Sequence, residues 1–391
     1  MLSINFKPAT VTILTDPVRQ FHFDYAGRLI GHFNHGDHYR VGLDGSILFK
    51  SSNQDAEDRY LPMSDVEYWW KEWGREWEDW RKIPEAAWKI AEFDVEPFPV
   101  SEFLNRIILF LKNIGFVHQQ FLKIWGRIPI LPPEFYQSVI ANFTVGCSYD
   151  DCTFCTFYKD RPFQIKNIET LNDHLNEISE FFGEGLSARR DIFIGEANAL
   201  ASPNRRFIFL MEELQDWISE MKSLHPKFRV NRIGSFLDGF TGHLKDVEEW
   251  KMIRQSGLTD IAIGIESGSE ELLKGVGKPY DPEIIILMVN RIKEAGFTLQ
   301  LIFLLGLGGK QFRDSHFESS VAMIGRFNLT PEDRVQLSLF NPAISTGDYP
   351  FKGDLLSMDE LDLEYTRWKS ALNGLEKGIS ARKYPTQFFI V

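Results

Sequence analysis

The sequence predicts an α/β protein: a (β/α)6 partial TIM-like barrel with an N-terminal β-hairpin plus helical extension and a short C-terminal tail. Two observations predict the barrel. From about Ser138 onward, short apolar runs alternate with amphipathic segments through six β-α units. The connections between them are short, as a parallel sheet with right-handed crossovers requires. A third observation sets the rest apart, because the first 137 residues show a period-2 pattern and then a period-3.6 pattern, with no β-α repeat. The expected division is 1–137, 138–345 for the barrel, and 346–391 for the tail.

Residues 11–50 alternate apolar and polar side chains in VTILTD, FHFDYAGRLIGHF and YRVGLDGSILFK, broken at Ala26-Gly27 and Asp44-Gly45. That is hairpin chemistry. In YWWKEWGREWEDW, Trp69, Trp70, Trp73, Trp77 and Trp80 recur at helical steps on one face, with charges opposite. A second amphipathic segment spans about 102–125. The barrel strands are expected in VIANFTV, DIFIGE, FRVNRIG, DIAIGIE, LQLIFLLG and RVQLSLF. The helices lie between them, with Asp281 capping one that Gly296 ends. In such a barrel the C-terminal ends of the strands form one functional face, and the tail is placed to cover it.

Composition narrows the function. The 391 residues are 43% hydrophobic and 14% aromatic, enough for a large core, and carry a net charge of −12. That charge disfavours a nucleic-acid-coating role, because phosphate backbones repel it. The start, MLSINFKPATVTILTDPV, has no basic stretch followed by an apolar run and a small-residue cleavage site. The longest aliphatic run, IIILMV, falls far short of the roughly 20 residues of a spanning helix. The expectation is a cytoplasmic protein without a transmembrane segment.

All three cysteines, Cys147, Cys152 and Cys155, sit in GCSYDDCTFCTFY, spaced C-x4-C-x2-C after the first expected strand. Close thiolates in a large chain point to metal. A plant-type [2Fe–2S] centre begins with this spacing but needs a fourth cysteine. A structural zinc would need a histidine, and His118 and His174 lie well outside the loop. A [4Fe–4S] cluster on three thiolates leaves one iron without a protein ligand, the open position that a catalytic site keeps.

The loop resembles the cluster motif of the radical S-adenosylmethionine (radical SAM) superfamily, with one residue more in the first gap than the commonest C-x3-C-x2-C. Asp150 stands where similar loops often carry Asn. The resemblance continues in GEANAL, GIESGSEELLKGVGK and LLGLGG, each ending an expected strand, and it covers roughly residues 138–340. It implies that Cys147, Cys152 and Cys155 hold a [4Fe–4S] cluster and that Phe154 lies near the adenine of S-adenosylmethionine (SAM). It further implies that Gly195 and Glu196 serve its ammonium, Glu266, Ser267 and Ser269 its ribose and carboxylate, and Gly306 and Gly308 its adenine. The chemistry of the groups agrees: an ammonium wants a carboxylate, a diol wants acceptors, and adenine wants backbone hydrogen bonds and an apolar wall. Ser267 and Ser269 can also cap the following helix, and the glycines can simply make a tight turn. Reduced flavodoxin or ferredoxin is the implied electron donor and a small molecule the substrate.

Asn198, Arg232, Asp238 and Asn341, at or just past expected strand ends, are substrate candidates, and Tyr158 is either cavity wall or core. His32, His35 and His38 read as a solvated hairpin loop rather than a metal site. The tryptophan run reads as core, with a ring-binding pocket or a membrane contact as alternatives. DSHFES resembles a cobalamin lower-ligand motif, but Ser319 replaces its glycine, so it is read as ordinary helix. The alternatives to an enzyme acting on an unidentified substrate are a tetrapyrrole-acting relative of coproporphyrinogen oxidase and a non-catalytic Fe–S or zinc protein.

Overall fold

Period-2 patterning in the first fifty residues produces an antiparallel meander. In the computed structural model, which describes residues 2–52, 59–91, 99–278, 280–375 and 380–384, strands Ser3–Phe6, Val11–Asp16, Arg19–Phe23, Leu29–Asn34, Asp37–Val41 and Ile47–Lys50 pair in sequence. Arg59–Tyr60 extends one edge, and Lys89–Ile90 pairs parallel to Ser3–Phe6 at the other. Two of the turns use glycine in the left-handed region, Gly27 and Gly45, each with φ +85°. At Gly27 a Cβ would stand 2.6 Å from the backbone of Arg106, so that turn also needs the close approach. The unit is thus a full sheet rather than one hairpin.

The tryptophan helix, Met63–Trp80, lies on this sheet. Trp73, Trp77 and Trp80 are buried and meet Phe21 edge to face at centroid distances of 6.5, 6.3 and 5.2 Å. Trp73 Nε1 donates to His32 Nδ1 at 3.1 Å, which leaves the ring proton on Nε2, 3.3 Å from Arg19 Nε. His32 is therefore core, not part of a solvated loop. His38 stacks on Phe33 at 3.9 Å, and only His35 occupies a turn, with φ +51°. The expected helix over 102–125 is two helices, Val100–Lys112 and Ile114–Trp125, because Asn113 leaves helical geometry (φ −109°, ψ 13°).

The second sheet is parallel throughout. We label its strands β1 (Ser138–Asn142), β2 (Asp191–Gly195), β3 (Arg232–Leu237), β4 (Asp260–Glu266), β5 (Thr298–Leu305), β6 (Arg334–Leu339) and β7 (Ser380–Tyr384); they pair in that order. The helices over 168–182, 204–224, 247–255, 282–294 and 313–325 fall where the periodicity places them. Asn167 and Asp246 make capping boxes, and Asp281 caps its helix by accepting from Glu283 N–H.

Two expectations need correction. The sheet has seven strands, not six: residues expected as a tail supply helix Met358–Asn373 and strand β7. β7 carries exposed Arg382 and Lys383 and lacks apolar alternation, which is how an edge strand hides in a sequence. The end of the expected tail, 385–391, lies outside the described residues. β3 begins at Arg232, not at Phe228, because its register is set by pairing Arg232 with Asp191 at the start of β2. Phe228 is instead buried against Trp217 in the preceding turn. No helix among the described residues is long and apolar enough to cross a membrane.

Candidate active site at the cysteine loop

The cysteine loop leaves β1 through Thr144–Val145, which pairs antiparallel with Gln164–Ile165, so its base is closed like a hairpin. Gly146 opens it at φ +74°, and a Cβ there would stand 2.9 Å from the Pro162 carbonyl oxygen. Glu196 ties the two ends together: it accepts from Gly146 N–H at 2.6 Å and from the Arg161 guanidinium through both oxygens at 3.1 Å. On its far side the loop is pinned by Thr153 N–H to the Val276 carbonyl at 3.0 Å and by Thr346 N–H to the Thr153 carbonyl at 2.8 Å. Tyr149 Oη donates to the Gly277 carbonyl at 2.8 Å. Asp150 sits in the left-handed region at φ +51°, which Asp and Asn tolerate best among residues with a side chain. The inserted residue of the longer gap thus falls in a loop that turns left-handed.

The three free cysteines line one cavity. Cys152 and Cys155 are packed by a small apolar cluster containing Phe154, Leu272, Val276, Leu307, Phe312, Phe340 and Tyr349. Burial pushes the Cys152 thiol up to about 12 and the Cys155 thiol up to about 11, so a metal must displace their protons. The two histidines weighed for zinc are engaged elsewhere. His174 Nε2 accepts from Asn142 N–H at 3.1 Å, and His118 lies against Trp70 at a centroid distance of 6.2 Å. Three soft donors on one loop, without a histidine beside them, fit a cluster better than a single ion.

The cavity lies at the C-terminal ends of the strands. Phe236 and Leu237 of β3, Ile302 and Leu304 of β5, and Ser338 and Leu339 of β6 reach it. Phe154, Glu266, Asn198, Asp238 and Asn341, singled out in the sequence, all line it, and so does Tyr158. Glu266 adopts φ +66° at the end of β4, where the pairing to β5 shifts register. Its carboxylate accepts from Lys278 Nζ at 2.8 Å, and Lys278 also donates to the Gly264 carbonyl at 2.8 Å. Burial pushes the Lys278 ammonium down, but the Glu266 carboxylate outweighs it and holds the lysine well above its usual range. Lys278 was not singled out in the sequence; its only signal there is a lysine closing the GIESGS segment.

Asn198 Nδ2 donates to Asp238 Oδ2 at 2.5 Å and to Ser148 Oγ at 3.1 Å. Its Oδ1 has no partner, although Asn198 is only 1% exposed.

Other expected contacts go elsewhere. Arg232 stands at the start of β3, at the opposite end of the sheet, where it pairs with Asp191 at 2.7 Å and donates to the Glu134 carbonyl at 2.9 Å. Glu196 does not line the cavity, because its carboxylate is taken by the loop clamp; its neighbours Ala197 and Asn198 line it instead. Gly195, also off the cavity, lies where a Cβ would stand 2.2 Å from Asn142 Oδ1.

Ser267 is fully buried and bonded to His316 Nδ1 at 2.7 Å, and the other ring nitrogen meets the Leu304 carbonyl at 3.0 Å. A carbonyl only accepts, so Nε2 carries the proton and Ser267 donates to Nδ1. The histidine of DSHFES is therefore a positioning residue for the strand-end turns. Ser269 is the N-cap of helix Glu270–Gly275. Gly306 and Gly308 face other parts of the chain: a Cβ on Gly306 would meet Leu361 at 2.6 Å, and one on Gly308 would meet Phe312 at 2.5 Å. These turns seat the tail helix and lie outside the cavity lining.

Residues 141–324 match the Radical SAM superfamily. Over 205 residues the chain is 24% identical to 4′-phospho-dehydrooxetanocin synthase from Priestia megaterium, a match covering 47% of this chain and 25% of that protein. The chain thus spans about a quarter of the curated relative it matches. Among solved structures, coproporphyrinogen III oxidase from Escherichia coli superposes with a TM-score of 0.45 at 17% identity, covering 66% of this chain and 56% of that one. A maturase of the [FeFe]-hydrogenase superposes at 0.41 with 12% identity, covering 71% and 59%.

Proposed function

We propose that this chain, whose residues 141–324 match the radical SAM superfamily, is a radical SAM enzyme in which Cys147, Cys152 and Cys155 hold a [4Fe–4S] cluster and SAM occupies the adjoining cavity. The observation that carries this reading is that all three thiols, on one clamped loop, line the same cavity as a buried Glu266–Lys278 pair. When bound, the cluster and SAM supply a 5′-deoxyadenosyl radical that abstracts hydrogen from a substrate.

The chain's own residues do the rest. Phe154 offers an apolar face beside the cysteines. Lys278 provides a cation for a carboxylate, and Glu266 holds it there. Asp238 fixes the Asn198 amide in the cavity wall. Ile302, Leu304 and Phe340 form dry walls, which strengthen these polar contacts and keep water from the reacting atoms. The substrate is a small molecule, and a reduced flavodoxin or ferredoxin delivers the electron. The tryptophans do not add to the tetrapyrrole alternative: Trp73, Trp77 and Trp80 are buried in the N-terminal core, and Trp69 and Trp70 pack against it partly buried.

The test is anaerobic reconstitution. About four irons per chain are expected, the number set by a cubane. Dithionite and SAM then release 5′-deoxyadenosine, and replacing any one of the three cysteines by serine abolishes the release. Tight binding of one zinc with no iron uptake would sink the proposal in favour of the non-catalytic reading.

A further inference from the structure

A second cavity lies where the N-terminal sheet meets the barrel, at the opposite end of the parallel strands from the cysteines. Its floor includes Gln137, just before β1, and Ala188 and Arg189, just before β2. Its volume is about 290 Å3, at the small end of ligand pockets, which run from roughly 300 Å3 upward.

Most of its charged lining is already engaged. Arg28, Arg40 and Arg189 line the cavity, and Asp24 is the one acidic residue among its lining. Asp24 is already taken, accepting from the Arg28 side chain at 3.2 Å and from Arg28 N–H at 2.9 Å. The Arg28 guanidinium is further committed to the Phe181 and Phe182 carbonyls. Arg189 is different. It is only 9% exposed, it lies over the Phe182 ring at 5.2 Å, and among the described residues its guanidinium makes no hydrogen bond or ion pair.

A guanidinium that faces a cavity without a protein hydrogen-bond partner offers its five donors to whatever fills that cavity. His22 adds a polar ring that is neutral near pH 7, because burial, with help from Lys7, pushes it down to about 4. Phe33 and Tyr136 supply apolar wall.

We propose that this cavity binds the anionic head group, carboxylate or phosphate, of a small organic ligand, with Arg189 as its principal partner. A planar fork matches either anion in bidentate fashion. The site is separate from the cysteine cavity, so it stands or falls independently of the proposed reaction.

The experiment is calorimetric titration of inorganic phosphate and, separately, sodium benzoate into reconstituted, SAM-saturated enzyme at constant ionic strength. Saturable binding of at least one probe at one site per chain is expected. Phosphate alone would assign a phosphoryl ligand and benzoate alone a carboxylate with an apolar body. R189M should weaken binding by about 10- to 100-fold, the worth of a charge-assisted hydrogen-bonded contact. R189K should recover part of the loss, and release of 5′-deoxyadenosine should be unchanged in both. Should R189M not fold, R40Q serves in its place. Absence of saturable binding of either probe, or undiminished affinity in the variants, would overturn the proposal.

Discussion

At the scale of single residues, the cavity turns on a buried ion pair attached to an unusual backbone. Glu266 holds φ +66°, a conformation that costs a residue with a side chain about 1–3 kcal/mol and persists only where surroundings over-determine it. Lys278 is part of those surroundings, and the two side chains are 8% and 10% exposed. Removing one member of such a pair strands the other charge, at a cost of about 3–5 kcal/mol. Lys278→Met is therefore expected to lower stability by about that amount in urea melts. Lys278→Met combined with Glu266→Gln should recover most of it, because no charge is then left unpaired. A neutral single variant would show that water reaches the pair. Such a pairing is invisible in sequence: the two residues lie twelve positions apart, and only a strand end followed by a short helix brings them together.

At the scale of elements, the cysteine loop is held as a hairpin whose ends share one carboxylate. Arg161 and Gly146 both donate to Glu196, while Thr153 and Tyr149 anchor the distal side. Arg161→Leu should release the base and leave the distal anchors. Amide exchange across 146–158 is expected to accelerate, and retained iron to fall below about four per chain, with far-UV circular dichroism unchanged. Equal protection in the variant would mean that the distal anchors alone suffice.

Much of this level was readable in advance. The strands of β1, β2, β4, β5 and β6 carry apolar runs between turn residues, and the capped helices carry their Asn, Asp and Ser signals. The three cysteines, Phe154 and Glu266 line one cavity because strand ends converge in a parallel sheet. What misled was register and direction. Arg232 sits at the beginning of a strand that apolar residues farther upstream seemed to start, so it fell at the wrong end of the sheet. Ser267, Ser269, Gly306 and Gly308 occupy strand-end turns, yet point toward the helices beneath them. Motif position gives the turn, but not which side of it faces the cavity.

At the scale of the whole molecule, residues past 345 both complete the parallel sheet and pack against the cysteine loop. β7 completes the sheet beside β6. Trp368 is fully buried, 5.7 Å from the Phe303 ring and 4.9 Å from the His316 ring, so the tail helix supports the histidine that holds Ser267. Glu364, 3% exposed, pairs with Arg313 at 2.6 Å, and Asp354 accepts from the Lys310 and Gln311 backbone after the glycine turn. A chain ending at 345 would expose the apolar side of β5 and strip the partners from these groups, so it is expected to accumulate as insoluble protein. The milder test is Trp368→Ala, which leaves a large cavity and should cost about 3–5 kcal/mol in denaturant melts. Because Trp368 rests on His316 and not on the cysteines, the variant should still take up iron at low temperature. Losing iron in proportion to stability would instead mean that the cysteine loop and the seventh unit unfold together.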